Sequence, residues 1–329
     1  MNTKILIASS IFIISYILTF LFRNLAIRRK VLDIPNERSS HSLPTPKGGG
    51  VAIVLSWYFG ISILFALHLI SRDLYYALMS GILLAVVSLI DDLINLKPYI
   101  RLIFQILSAA VALFFLKGFS PITFSEFGIS SLVLFSPIAV IGIVWFVNLF
   151  NFLDGIDGYA SLETSTVAMA LYFLTGNIVC VVLIVCILGF LSWNWPKAKI
   201  FMGDVGSTQL GFILVVLGIY FHNTVEASII HWVMLTSLFW FDATLTLFRR
   251  WRNGEKLTQA HKKHAYQRIV QSGFSHQKTI IMSFIINIII IGLVFISKMY
   301  MSILIPVFII NMLFLYGITK VIDKKVPFK

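Results

Sequence analysis

Residues 4–22 read KILIASSIFIISYILTFLF, one lysine followed by eighteen residues without a charge. An α-helix needs about 20 mostly apolar residues to cross the hydrocarbon core of a bilayer, so this stretch predicts a transmembrane helix. A secretory signal peptide begins in a similar way but ends in a small-residue cleavage site, and none follows here. We therefore interpret residues 4–22 as the first membrane span.

The composition of the whole chain excludes the soluble classes of protein. Hydrophobic residues make up 58% of the 329 residues and charged residues only 12%, whereas soluble domains carry about 25% charged residues. So few charges cannot cover a globular surface of this size. A soluble enzyme, a disordered chain and a disulfide-rich scaffold are thereby excluded, and a polytopic membrane protein remains.

Apolar stretches recur along the chain, and no soluble domain of useful size separates them. The sequence predicts an all-α, polytopic integral membrane protein with about 11 transmembrane helices (10–11), forming a single domain over residues 1–329. The predicted spans are, within a few residues, 4–22, 51–70, 74–90, 102–117, 131–149, 159–175, 178–193, 207–222, 228–248, 279–297 and 301–319.

Lysine and arginine residues indicate the orientation, because cytoplasmic loops carry an excess of them. With eleven spans, 22 of the 26 basic residues fall in loops on one side of the membrane. That side is predicted to be cytoplasmic, which places the N-terminus outside and the C-terminus in the cytoplasm. Eleven of the 14 acidic residues share that side, although the rule for basic residues does not predict this. Carboxylates gathered at one membrane face suggest a functional site there.

The third predicted span runs without a charge from Leu83 to Ile90 and continues directly into Asp91 and Asp92. Two adjacent carboxylates repel each other, and the C-terminal end of a helix favours cations instead. A bound cation or a proton would relieve both problems. A solvated helix end, or pairing with Lys97 or Arg101 in the same loop, is the structural alternative.

Four polar residues at three-residue intervals end the fifth predicted span: Asn148, Asn151, Asp154 and Asp157. In a helix or 3₁₀ turn this spacing places them along one face. Amide and carboxylate oxygens suit Mg²⁺, and such groups are costly at a membrane edge unless they are engaged. The run is therefore a candidate metal and substrate site, with a structural cap or turn as the alternative.

Glycines flank an aspartate in Phe201-Met-Gly-Asp204-Val-Gly-Ser207, directly before the eighth predicted span. Because the free N–H groups of a helix N-terminus attract anions, this segment is a candidate phosphate or metal loop. Asn194, Lys197 and Lys199 just upstream add groups compatible with a nucleotide. The Gly-Asp-x-Gly motif is weak by itself and gains meaning only beside the other motifs.

His261, His264 and Arg268 lie in the last large loop on the predicted cytoplasmic side. In a helix their spacing places them on one face, where they could form a cationic wall for phosphate groups. The histidine pair could instead bind a metal ion. An interfacial helix that contacts anionic lipids is the structural alternative.

Together these motifs resemble those of the polyprenyl-phosphate N-acetylhexosamine-1-phosphate transferases. The resemblance implies transfer of an N-acetylhexosamine 1-phosphate from a UDP-sugar to undecaprenyl phosphate, with release of UMP, at the cytoplasmic face of the bacterial inner membrane. The segment from His261 to Arg268 is closer to the O-antigen and lipopolysaccharide branch and departs from the clustered His-x-His-His of other members. The matching segments follow the family's order: Pro44–Gly50, Asp91 through Pro98, Arg101 and Gln105, Asn148 through Gly158, and Phe201 through Gly211.

The resemblance also implies roles for single residues. Mg²⁺ is the expected cofactor, with Mn²⁺ as a substitute, and its expected ligands are Asn151 and Asp204. Asp91 is expected either to accept a proton from the lipid phosphate or to steer it, and Asp92 to help organise the metal site. The expected catalytic residues are Asp91, Asp92, Asp154, Asp157, His261 and His264. The expected substrate-binding residues are Lys47, Arg101, Asn148, Asn194, Phe201 and Arg268.

Two other functional classes compete with the transferase. A transporter or lipid flippase also contains carboxylates within the membrane, but its path needs polar groups near the bilayer midplane and access to both faces. A lipid-bound scaffold leaves the run from Asn148 to Asp157 unexplained. The expected partners are the UDP-sugar, undecaprenyl phosphate and membrane lipids; a homodimer is compatible with the resemblance, and no nucleic acid is expected.

Overall fold

The structure, a computed structural model, describes residues 2–35, 43–124, 127–129, 132–257, 259 and 261–328. Four residues that enter the charge count, Glu37, Arg38, Glu126 and Lys329, lie outside these residues, as does the start of the span predicted at 131. The described chain is mainly helical, with two short antiparallel ribbons. The helices are α1 (Asn2–Arg28), α2 (Gly50–Ala66), α3 (Arg72–Met79), α4 (Gly81–Ile94), α5 (Pro98–Phe115), α6 (Leu132–Phe152), α7 (Tyr159–Thr175), α8 (Ile178–Asn194), α9 (Asp204–Asn223), α10 (Ile229–Leu235), α11 (Ser237–Arg252), α12 (Ala265–Gln271), α13 (His276–Met299) and α14 (Leu304–Lys325). The strands are β1 (Leu32–Asp33) with β2 (Thr45–Pro46), and β3 (Ile122–Phe124) with β4 (Phe127–Ile129).

Six helical segments among the described residues are long and apolar enough to cross a membrane, with α3 and α4 counted as one segment. The pair α10 and α11, bent by 74°, makes a seventh if it is one span. The predicted all-α, multi-pass membrane class is confirmed. Each of the eleven predicted spans overlaps a helix or a helix pair, but several of these helices are shorter than a full crossing. The number of eleven spans and the sides of the two termini stay predictions.

Several helices extend beyond the predicted spans at one end of the bundle. Helix α4 continues through Asp91 and Asp92 to Ile94, α6 continues to Phe152, and α9 begins at Asp204. Hydropathy marks where apolar side chains stop, whereas the helical hydrogen bonds continue into polar residues. An aspartate in the first turn of α9 also suits the helix dipole. Asp91, Asp92 and Asp204 therefore lie on helix ends rather than in loops.

Helix α9 occupies the centre of the bundle. Its apolar window is 89% buried, compared with 22% for α1 and for α14. It packs against α2, α4 and α6. A Cβ atom on Gly50 would collide with the backbone of Gly206, so the two glycines let the N-terminal ends of α2 and α9 lie in direct contact. This close approach brings the segment before α2 to the segment before α9.

Candidate active site

Backbone hydrogen bonds position Lys47 beside the N-terminus of α9. The N–H of Phe201 donates to the carbonyl of Pro46 at 2.8 Å, and the N–H of Gly49 donates to the carbonyl of Phe201 at 2.9 Å. The Lys47 ammonium then lies 2.7 Å from Asp92 Oδ1. Burial lowers the pKa of Lys47, but the hydrogen bond and charge of Asp92 outweigh it, so the pKa lies above its ordinary value. Lys47 is therefore a fixed cation.

The carboxylates of Asp91 and Asp92 each have a separate cation. Asp91 Oδ2 lies 2.8 Å from Arg101 Nη1, and its Oδ1 accepts the N–H of Leu96 at 2.7 Å. Asp92 pairs with Lys47, and its Oδ2 accepts the N–H of Val205 at 3.4 Å. Positively charged side chains from neighbouring segments thus relieve the repulsion between the two aspartates. Asp91 thus pairs with Arg101, which is the structural alternative to a bound cation that the sequence left open.

Arg101 links the end of α4 to the start of α9. Its Nη2 lies 3.5 Å from Asp204 Oδ2, and Asn151 donates to the same oxygen at 3.2 Å. Ser207, one turn along α9, donates to Asn151 Oδ1 at 2.8 Å. We call Lys47, Asp91, Asp92, Arg101, Asn151 and Asp204 the charged cluster. The Asp204 side chain is 32% exposed, so the cluster is accessible from solvent.

Asp154 and Asp157 follow α6 in the loop that leads to α7. Asp157 Oδ2 accepts the N–H of Ala198 at 3.2 Å and lies 3.2 Å from His276 Nδ1 at the start of α13. Burial and the negative charges of Asp204 and Asp157 raise the pKa of Asp154 to about 7. The single polar face predicted for the whole run is therefore wrong, because α6 ends at Phe152. Asp154 belongs beside the charged cluster, and Asp157 ties two loops together.

Three of the predicted substrate-binding residues make contacts within the protein. Buried Asn194 donates to the carbonyl of Ile200 at 2.9 Å and accepts the N–H of Gly158 at 3.0 Å. Asn148 and Gln105 exchange two side-chain hydrogen bonds, of 2.7 and 3.2 Å. Phe201 takes part through its backbone in the ladder beside Lys47. The bonds of Asn194 and Phe201 join loops, and those of Asn148 join α6 to α5. Direct contact of these residues with substrate stays a prediction.

The expected common helical face of His261, His264 and Arg268 is wrong, because α12 begins only at Ala265. The two imidazole rings are nevertheless close, with centroids 4.8 Å apart. Asp242 accepts the N–H of Ala265 at 2.8 Å and so caps α12. Burial, together with the positive charges nearby, lowers the pKa of His261 to about 4, which leaves the imidazole neutral at pH 7.

Arg268 points towards the C-terminal segment rather than towards the histidines. Its guanidinium lies 2.8 Å from Asp323 Oδ1 and also donates to the carbonyl of Val326. Arg249 makes a bidentate pair with the same Asp323, at 2.9 and 3.0 Å. The Arg268 side chain thus fastens α12 to the end of α14, and the structure does not bring it into the charged cluster.

Tyr266 contacts the loop after α6, and the sequence motifs did not reveal this contact. It is 2% exposed, and its hydroxyl donates to the carbonyl of Phe152 at 3.4 Å. A Cβ atom on Gly155 would collide with that hydroxyl, so only glycine leaves room for it. Tyr266 thereby seats α12, and His264 before it, against the loop that carries Asp154. No sequence spacing could indicate a pair so far apart in the chain.

The donor set of the charged cluster fits Mg²⁺. No three His, Cys, Asp or Glu side chains within the described ranges converge to hold one ion. Mg²⁺ in enzymes, however, takes only one or two carboxylates and completes its shell with waters and substrate phosphates. Asp204 and Asn151 supply hard oxygen ligands beside Asp154, whose carboxylate is repelled by Asp204 and Asp157. A divalent cation would relieve that repulsion.

These features define a class of protein: a multi-pass helical membrane protein with a fixed, partly exposed array of carboxylates and cations at one end of its bundle. Residues 74–222 match the family described as glycosyl transferase family 4. Over 292 residues the chain is 28% identical to a "Probable undecaprenyl-phosphate N-acetylglucosaminyl 1-phosphate transferase" of Bacillus subtilis, covering 83% of this chain and 79% of the relative.

Two further relatives agree with this match. The chain is 28% identical to the decaprenyl-phosphate N-acetylglucosaminephosphotransferase of Mycobacterium leprae, covering 83% of this chain and 78% of that one. It is 27% identical to the undecaprenyl-phosphate alpha-N-acetylglucosaminyl 1-phosphate transferase of Escherichia coli K12, with the same two shares. The family match and these relatives support the resemblance to the polyprenyl-phosphate N-acetylhexosamine-1-phosphate transferases. The resemblance noted in the motifs is confirmed.

Proposed function

We propose that this protein transfers N-acetylglucosamine 1-phosphate from UDP-N-acetylglucosamine to undecaprenyl phosphate and releases UMP. The names of the relatives support the sugar and the polyprenyl phosphate. The observation that carries the proposal is the charged cluster, in which Lys47 and Arg101 hold carboxylates from α4 and α9 at one accessible membrane face. The concentration of basic residues at that face supports a cytoplasmic site, as expected for a nucleotide-sugar donor.

The reaction joins two anions, so neutralising and aligning them is the main task of the enzyme. An oxygen of the lipid phosphate attacks the phosphorus that carries the sugar. A new P–O bond forms to the lipid, the bond to the UMP oxygen breaks, and UMP leaves with that electron pair. Lys47 and Arg101 are cations already placed to attract phosphate groups.

The carboxylates of the cluster have distinct proposed tasks. Asp204 and Asn151 would hold Mg²⁺, which when bound screens the diphosphate charge and stabilises departing UMP; Mn²⁺ is the proposed substitute. Asp92 and Asp154 add negative electrostatic potential at the proposed metal position, and Asp157 holds the loop between α6 and α7. Asp91 either steers the lipid phosphate or accepts its proton. Because a phosphate has a second pKa near ~6, such a base contributes little at neutral pH.

His261 and His264 are proposed to hydrogen-bond phosphate, which an imidazole can do without being protonated. The low pKa of His261 supports this, since burial and nearby positive charges disfavour its protonation. The contact between Tyr266 and the loop at Gly155 links the histidine segment to the cluster side of the bundle. We further propose that the product starts an O-antigen or lipopolysaccharide glycan in the inner membrane.

The test is a radiolabel assay with purified protein, undecaprenyl phosphate, Mg²⁺ and one UDP-sugar at a time. UDP-GlcNAc should give labelled lipid and an equal amount of UMP, with UDP-GalNAc and the 6-deoxy sugars slower. Asp204→Asn should lower turnover at least ~100-fold. Asp73→Asn, which alters an exposed carboxylate paired with Lys117 outside the cluster, is the matched control and should retain activity. Near-normal turnover of Asp204→Asn would remove that residue from the metal site.

A second arm tests the single displacement. Without lipid, the enzyme should neither acquire label from UDP-GlcNAc nor exchange labelled UMP into it. A stable labelled protein, or rapid exchange, would contradict direct attack by the lipid phosphate. The transporter or flippase alternative is not favoured by the relatives, and lipid translocation without UMP release would be required to revive it.

A further inference from the structure

A cavity of about 270 Å³ lies between α12, α13 and α14. Most of its wall is apolar and comes from side chains such as Phe274, Ile286, Ile318 and Val321. A single water needs only ~10–15 Å³ of such space, and close-packed interiors contain few larger voids. An apolar space this large therefore fits a hydrocarbon group better than solvent.

Two positive side chains line one end of this cavity. Arg268 is 3% exposed, and its Nε has no hydrogen-bond partner within the described chain. Lys325 is exposed, with its ammonium 5.3 Å from the ring centre of Phe274. Leaving a guanidinium N–H buried without an acceptor is costly. Asp323 is shared between Arg268 and Arg249, so the cavity combines an apolar interior with a net positive charge at one end.

The position of the cavity matches the boundary of a bilayer leaflet. Helices α13 and α14 are both long and apolar enough to cross a membrane. Arg268 and Lys325 lie at the end of α14, where Asp323 joins α14 to α12. Basic pockets between transmembrane helices at this level are suited to acidic lipid headgroups. The acyl chains of such a lipid would continue along the apolar wall.

We propose that this cavity binds an anionic diacyl phospholipid of the surrounding leaflet, with one acyl chain in the apolar space and the phosphate group beside Arg268 and Lys325. The site is separate from the charged cluster and does not depend on the transferase reaction. A free phosphate ion would leave the apolar volume empty. A zwitterionic lipid would bring its own cation towards Lys325, which disfavours it.

The experiment uses the full chain in bilayers of equal parts phosphatidylglycerol and phosphatidylcholine. After mild detergent extraction, native mass spectrometry measures how much of each lipid is retained. The wild type should retain phosphatidylglycerol preferentially. Lys325→Gln should weaken retention about fivefold, the effect of one basic residue near an anionic surface, whereas Lys324→Gln, the exposed neighbour that does not line the cavity, should stay within about twofold of the wild type.

A second variant fills the space without touching the charges. Val321 is 58% exposed, so Val321→Trp should fold. It should reduce phosphatidylglycerol retention at least about fivefold, because acyl methylenes kept out of the cavity lose their apolar contacts. Equal retention of the two lipids, equal effects of Lys325→Gln and Lys324→Gln, or unchanged retention by folded Val321→Trp would overturn the proposal. Displacement of the lipid by millimolar inorganic phosphate would instead assign the site to a free anion.

Discussion

Arg101 offers the sharpest test of the site, because one guanidinium contacts carboxylates from two helices. Its Nη1 lies 2.8 Å from Asp91 and its Nη2 3.5 Å from Asp204. The Asp91 side chain is 9% exposed and that of Arg101 28%, so the first pair is largely shielded from water. Arg101→Met removes the charge and keeps most of the apolar stem.

The expected cost can be worked from these contacts. A hydrogen bond to a charged group contributes about 1.5–3 kcal/mol. Breaking a fully buried ion pair costs more, about 3–5 kcal/mol, but Asp91 keeps the N–H of Leu96 at 2.7 Å and the partner is partly exposed. We therefore expect a loss of about 1.5–3 kcal/mol in the free energy of unfolding. If the guanidinium also orients substrate phosphate, kcat/KM should fall about tenfold to hundredfold.

Two assays separate these effects. Thermal unfolding in detergent reports stability, and the radiolabel assay reports turnover. In a double-mutant cycle with Asp91→Asn, the double variant should lose less stability than the sum of the single losses, because the pair is removed only once. Lys97→Met, at an exposed position directly before α5, is the control and should match the wild type. Additive losses, or an Arg101→Met enzyme with normal turnover and stability, would refute the bridging role.

Gly155→Ala should displace Tyr266 and cost about 1–3 kcal/mol in stability, and adding Tyr266→Phe should restore part of it because the colliding hydroxyl is gone; equal melting temperatures of the single and double variants would contradict this. Asp323→Asn should reduce the free energy of unfolding by about 1–3 kcal/mol and so lower the melting temperature, because Arg268 loses its carboxylate partner. An unchanged melting curve would show that the pair contributes little to stability. The folded pKa of His261 is about 4, below its ordinary 6.5 in the unfolded chain, so the unfolded state binds more protons and stability should rise with pH between about 4 and 6.5. His261→Gln should show a smaller rise across that window, and an identical pH profile would speak against the lowered pKa.

The membrane class could be predicted because hydropathy is a local property of the sequence. Residues 4–22 and the span predicted at 279–297 each carry enough apolar surface to enter a bilayer whatever their neighbours are, and both are long apolar helices in the structure. The bend of 74° between α10 and α11 was not predicted. Its sequence, from Ile229 to Arg252, has no proline or glycine at the break. The Thr236 hydroxyl at the break donates to the carbonyl of Trp232 at 2.9 Å, and such bonds to the preceding turn often bend helices.

The candidate site could be predicted in part because the cost of a charge at a membrane edge is also a local property. Asp91, Asp92 and Asp204 are charged residues at the edges of apolar helices, and such residues are costly there unless they are engaged. The structure brings all three together with Lys47 and Arg101. For Arg268, helical spacing predicted a place beside His261 and His264 in a phosphate-binding face. Residues 261–264, directly before Ala265, are not helical. The carboxylate that pairs with Arg268 is Asp323, 55 residues further on.

The sequence by itself determined the membrane class, the motifs of the family and the face where charge gathers, because the cost of burying each residue type depends mainly on that residue. Only the tertiary structure decided which charges pair. Lys47 reaches Asp92 because glycines let α2 meet α9, and Asp157 reaches His276 across the loops. An ion pair depends steeply on distance and on shielding from water, and both quantities exist only once the helices have packed.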